Sequence, residues 1–116
     1  MRYVELFNNR DWEGVKRLLT AETQCEVVGA FSGRGRDIIA GNYLHTLAGL
    51  GSWKMSAVEI DREEVIVRWH AIDGQWQPRG LTRIEWEGEM VKRIRDYSHV
   101  LYLFDEIDLH NKEPKE

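Results

Sequence analysis

The residue best placed to do chemistry in this chain is Asp96. Leu81 to Trp86 and Met90 to Tyr97 alternate apolar and polar residues around the short polar turn Glu87-Gly88-Glu89, the pattern of an antiparallel hairpin. Side chains alternate across a strand, so Thr82, Ile84 and Trp86 share one face of the first arm, and Ile94, Asp96 and Ser98 share one face of the second. With both faces turned inward, Asp96 sits on an apolar wall. A carboxylate there must be paired, hydrogen-bonded, protonated or set against a water-filled cavity, because burying it bare is too costly. It can then serve as an acid or base in a pocket, or structurally by pairing with an internal arginine or capping the segment near Ser98.

Other chemistries find little support. His45, His70, His99 and His110 lack metal-ligand spacing and have no cysteine partners, so no metal and no cofactor are expected. His99, just past the strand of Asp96, is a candidate proton shuttle at a pocket mouth, against the commoner surface or capping role. Ser98 beside His99 is adjacency in sequence, which does not make a catalytic pair. Ser32-Gly33-Arg34-Gly35-Arg36 has the spacing of neither phosphate-binding fingerprint and reads as a loop. The single Cys25 lies in an apolar run and reads as a buried structural thiol. A formal charge of −4, with Lys92, Arg93 and Arg95 offset by neighbouring acids, argues against direct nucleic-acid contact. No apolar run is long enough to span a bilayer, so a cytoplasmic protein with no membrane partner is expected.

The elements that must position Asp96 follow from periodicity. Arg2 to Phe7 reads as helix, and Asp11 as the N-cap of a second helix from Trp12 to Leu19. Glu26 to Phe31, with Cys25, Val27 and Val28, reads as a short strand ending in the glycine-rich loop at 29–35. Asp37 is the expected cap of a helix whose Ile39, Tyr43, Thr46, Leu47 and Leu50 trace one side. Period two then takes over. Trp53 to Ile60 and Glu64 to Ile72 read as strands, Gln75 to Arg79 as a loop because of Pro78, and the hairpin with a short terminal helix completes the chain. Asp73-Gly74 marks a reversal. The order implies one α+β domain over residues 1–116, with a polar tail from about 109: a curved antiparallel sheet wrapped around N-terminal helices, leaving a pocket at its open end.

RYVELFNNRDWEGVKRLL at residues 2–19, the Gly-Arg-Gly-Arg lead-in to the next helix and RIEWEGEMVKRIRDY at 83–97 together resemble the nuclear transport factor two-like superfamily. The likeness is to its SnoaL-like branch of cone-shaped, mixed-sheet, cystatin-like domains. It is greatest to the SnoaL-like C-terminal domain of extracytoplasmic-function sigma factors, which suggests either a piece of a larger protein or a trimmed stand-alone member. The resemblance puts Tyr3 at the position of the steroid isomerase tyrosine, but Val27 falls where that family has its general base and Thr82 where it has a second oxyanion donor. Isomerase chemistry is therefore not expected. In the cyclase and hydrolase branches, acids, arginines and histidines work inside the cone. By that likeness Asp96 is the candidate catalytic residue, Trp69 and Trp86 could stack on a flat ligand, Tyr3 and Tyr43 could offer phenols, and Thr82, Ile94 and Ser98 would complete the pocket wall.

The expected function is thus a small-molecule-binding or regulatory domain for a hydrophobic or aromatic ligand. By the resemblance, its regulatory form is a sigma-factor accessory contacting sigma regions or RNA polymerase. The alternative is a cyclase, hydrolase or isomerase using Asp96. The second alternative is a ligand-free dimerisation module, with the β-face bearing Ile66, Arg68 and Ile72 as the homodimer surface.

Overall fold

A computed structural model describes residues 1–99, 104–105 and 107–114. Helix α1 (Arg2–Asn8) and α2 (Trp12–Lys16) form the expected helical hairpin, and the Asp11 carboxylate accepts from the Gly14 amide at 2.9 Å as the N-cap of α2. The turn between them is tied to the sheet. Asn8 uses its amide like a neighbouring strand, donating to the Met55 carbonyl at 2.8 Å and accepting from the Met55 N–H at 2.7 Å. Arg10 stacks 3.6 Å over the Trp53 ring and donates to the Trp53 carbonyl.

Among the described residues the sheet has six strands: β1 (Gln24–Val27), β2 (Phe31–Arg34), β3 (Trp53–Ile60), β4 (Glu63–Ile72), β5 (Gln75–Glu87) and β6 (Met90–Asp96). Their spatial order is β2-β1-β6-β5-β4-β3. Of the five pairings between them β1–β6 is parallel and the other four are antiparallel. Register shifts at Arg68/Trp69 and Glu85/Trp86 bend the sheet toward the helices. Between β2 and β3 one helical run packs on the concave face, consisting of α3 (Arg36–Ile39), a π-helical segment (Ala40–Leu44) and α4 (His45–Ala48). Inside lie Tyr3, Leu6, Phe7, Val15, Leu19, Ile39, Leu44 and Leu47 from the helices and Trp53, Met55, Ile66, Val91 and Ile94 from the sheet. Burying each large apolar side chain contributes about 1.5–3 kcal/mol.

Four expectations are corrected. The segment read as a glycine-rich loop contains β2, whose short side chains at Ser32 and Gly33 hid its alternation. Gln75 to Arg79 is the start of β5, not a loop. Pro78 is tolerated because, among the described residues, β5 there pairs with β4 alone, the β6 pairing beginning at Thr82. The third helix begins after Gly35, with Asp37 in its first turn and no side-chain cap. Strand β4 also faces the opposite way. Ile66 and Arg68 are buried under the helices, so they form no exposed dimer surface. Val65, Val67 and Trp69 point to the convex face instead, with Val58 and Leu81. The physical reason is the C-terminal segment, whose Phe104, Ile107 and Leu109 cover that second apolar face. The expected terminal helix falls partly on residues 100–103 and 106, outside the described residues. Among the described residues no helix is long and apolar enough to cross a membrane.

Candidate functional site

Asp96 ends β6 beside Val27 of β1 and Thr82 of β5, on the concave face, and is 0 % exposed. Three donors hold its carboxylate. The Tyr43 phenol donates to Oδ2 at 2.5 Å. The Ser98 N–H donates to Oδ1 at 2.7 Å, and the Ser98 hydroxyl donates to the same oxygen. These last two bonds close an Asx-type turn that takes the chain out of the sheet. Tyr43 reaches Asp96 from the π-helical segment, a departure from α geometry frequent at functional sites.

Arg68 completes the group from two strands away. Its Nη1 lies 3.8 Å from Asp96 Oδ2 and donates to Ser98 Oγ at 3.1 Å, and both partners of the ion pair are buried. The intervening strand must let the guanidinium cross. Gly80, paired with Arg68 in the β4–β5 register, does so: a Cβ there would stand 2.8 Å from Nη1 and 2.9 Å from Cζ. On its other side Arg68 Nε donates to His70 Nε2 at 2.9 Å, leaving the imidazole proton on Nδ1. Arg79 stands next to them, held by Gln77 Oε1 at 2.8 Å and the Pro78 carbonyl at 3.0 Å.

These groups form the polar end of a cavity of about 590 Å³, whose other walls include Val27, Phe31, Leu47, Leu50 and Ile72. The surroundings move several protonation equilibria. Burial first, and then Asp96, push the Tyr43 phenol well above its usual value, so it remains a donor. Burial, then Arg68 and Arg79, pull His70 below its usual value and keep the imidazole neutral near pH 7. Burial also raises the Cys25 thiol to about 12, with Asp96 adding to it. Tyr3 is raised by burial, then by Cys25 and Asp96, with the neighbouring Tyr43 hydroxyl opposing as a polar contact outside hydrogen-bond geometry, so that its buried hydroxyl has no well-formed hydrogen bond among the described residues.

Of the residues singled out from sequence, Asp96, Tyr43 and Ser98 meet at this cavity, and His99 lines it as an exposed residue. The others lie outside its lining. Tyr3 and Ile94 are packed in the core between helices and sheet, and Thr82 is buried in β5 one strand over from Asp96. Trp69 is on the convex face, its indole N–H donating to Ser56 Oγ at 2.8 Å. Trp86 is 38 % exposed near the far end of the hairpin, edge-on to Tyr3. No indole therefore lines the cavity. Sequence reasoning missed Arg68, His70 and Arg79 as site residues. The available signal was Gly80, a glycine inside a strand pattern, which marks close approach of another group.

No protein-family model matches the sequence, and the search of curated proteins returned no match. Solved structures do match. An NTF2-like protein of unknown function from Burkholderia pseudomallei aligns over 88% of this chain and 90% of its own, at 15% identity and a TM-score of 0.63. An LEH-like epoxide hydrolase of M. tuberculosis aligns over 95% and 80%, at 18% identity and a TM-score of 0.60.

The chain has the nuclear transport factor two-like fold.

TerC, co-crystallised with polyporic acid, shares this fold over 89% of the present chain and 91% of its own, at 14% identity and a TM-score of 0.63. Other matched structures carry ketosteroid isomerase and polyketide cyclase designations. The nuclear transport factor two-like fold hosts several chemistries, so function must be argued from the site.

Proposed function

We propose that this domain binds a small, largely apolar molecule in the cavity, with a polar group of that molecule at the Asp96–Arg68–His70 row. The supporting observation is the cavity wall, largely apolar along Val27, Phe31, Leu47 and Leu50, with Arg68, His70, Asp96 and Ser98 gathered in one linked polar group and Asn42, Thr46 and His99 as further polar lining. Asp96 favours binding over base catalysis. Its Oδ1 already accepts two bonds from Ser98 and its Oδ2 one from Tyr43, so about one of its four acceptor sites is free. The test is a thermal-shift screen of small aromatic and alicyclic compounds against the native protein and Leu50→Trp, which fills the cavity. A binder present at a hundred times its Kd stabilises the native protein by about 2.7 kcal/mol. If no compound raises Tm in the native protein above its effect in the filled variant, the reading fails.

An enzymatic second reading draws on the remaining Oδ2 site and on Arg68, which links Asp96 to His70 as a base and a neutral donor would be linked across a substrate. Asp96→Asn separates the two readings: retained ligand binding fits a binding domain, whereas turnover in the native protein that vanishes in the variant fits an enzyme. A sigma-factor accessory role is the regulatory form of the binding reading. It is supported by the likeness of RIRDY at 93–97 and the aromatic-rich stretch after it, and a reading frame with no sigma regions ahead of this domain would count against it.

A further inference from the structure

At the polar end of the cavity Tyr43, Ser98 and Arg68 have acceptors for their donors, whereas His70 and Arg79 present donors toward which no acidic group is turned among the described residues. His70 accepts from Arg68 at Nε2 and so carries its proton on Nδ1, and among the described residues no acceptor takes that proton. Arg79 is half-buried, bonds only to the neutral Gln77 amide oxygen and the Pro78 carbonyl, and has no ion pair among the described residues. Arg68 is buried and shares the single carboxylate of Asp96. Two guanidinium charges thus face one carboxylate, and that carboxylate is already bonded to Tyr43 and Ser98. Among the described residues one positive charge at this largely apolar cavity is thus left without an acidic partner, although the chain as a whole carries a formal charge of −4.

From this geometry we infer that the preferred ligand is a hydrophobic anion, a carboxylate on an aliphatic or aryl body, with its oxygens received by Arg79 and the His70 Nδ1–H. The inference rests on the cavity-binding reading above and adds the charge of the ligand to it. Arg68 sets the site rather than binding: its Nε bond fixes the His70 tautomer, and its Nη1 answers the Asp96 charge, which would otherwise repel an anion. The apolar body lies along Leu47, Leu50 and Phe31, where it removes apolar surface from water on both sides.

The test compares straight-chain carboxylates from hexanoate to decanoate, and 4-phenylbutanoate, with their primary amides. Calorimetry on the full chain gives affinities, and amide chemical shifts at Ala30, Thr46 and Leu50 locate the probe. Carboxylates are expected to bind about ten- to a hundredfold more tightly than the matching amides, the gain of one charge-assisted contact. In Arg79→Gln that ratio should fall toward one, the carboxylates losing more affinity than the matching amides. Amides binding as tightly as carboxylates overturn the anion preference and leave the pocket standing. A carboxylate preference that survives intact in Arg79→Gln overturns the assignment to Arg79. If neither series binds or shifts the cavity amides, both this inference and the binding reading fall.

Discussion

Tyr3 and Tyr43 allow one chemical change to be made twice with opposite expected results. Both are buried, and replacing either by Phe removes the same single oxygen. Tyr43 donates to the Asp96 carboxylate at 2.5 Å, a bond to a charged acceptor, worth about 1.5–3 kcal/mol when broken. Tyr3 has no partner for its hydroxyl among the described residues, and a buried unsatisfied hydroxyl costs about 1–3 kcal/mol. Tyr43→Phe should therefore lower stability by about 2 kcal/mol, and Tyr3→Phe should leave it unchanged or raise it by about 1 kcal/mol. At about 4 °C per kcal/mol for a domain of this size, the two variants should differ in Tm by roughly 8–12 °C. Urea unfolding followed by tryptophan fluorescence measures both, and equal m-values would license the comparison. If Tyr3→Phe loses as much as Tyr43→Phe, the Tyr3 hydroxyl is hydrogen-bonded in solution and the reasoning is wrong. A double variant less destabilised than the sum would then identify a shared Tyr3–Tyr43–Asp96 chain.

Gly80→Ala should push the Arg68 guanidinium aside by about half an ångström and cost about 1–3 kcal/mol, offset by up to about 1 kcal/mol from the lost freedom of glycine; a urea midpoint raised above that of the native protein would refute the close crossing. His70 has its pKa lowered in the fold, so between its ordinary 6.5 and that lower value the unfolded chain binds more protons. Stability should fall as pH drops below 6.5 and be complete above it, and urea midpoints of the native protein minus those of His70→Gln should show that slope. Cys25, raised from 9.0 to about 12, works in the other direction: its contribution is full below pH 9 and is lost as pH rises toward 12. Alkylation by iodoacetamide at pH 9 should accordingly be far slower in the native than in the urea-unfolded protein, and equal rates would show an accessible thiol.

The architecture was legible where local pattern and tertiary demand agree. The Asp11 cap, the helical hairpin and the turn at Asp73-Gly74 with positive φ follow from residue types and short periods. What was not legible depended on what covers each face. Alternation in Val65-Ile66-Val67-Arg68-Trp69-His70 defines two faces without saying which one meets the helices. The more apolar set was the natural choice for the interior, and it is buried, but under Phe104, Ile107 and Leu109 on the convex side.

That inversion decides the nature of the site. With Val65, Val67 and Trp69 turned outward, the concave face receives Ile66, Arg68 and His70, and the interior acquires a cation and an imidazole in place of an indole. A buried guanidinium requires a counter-charge within reach, and Asp96 supplies it at 3.8 Å only because Gly80 leaves the path across β5 open. The same arrangement ties Asp96 to its strand, since Ser98 and Tyr43 bond the carboxylate from the turn and the helix. The carboxylate on the concave wall, the glycine inside β5 and the arginine two residues before a histidine in β4 are therefore one structure. Removing Arg68 alone, as Arg68→Met, should cost about 3–5 kcal/mol by leaving Asp96 buried without its cation, whereas Arg68→Met combined with Asp96→Asn should recover part of that loss. A double variant no more stable than Arg68→Met would mean that the two groups do not act as a pair.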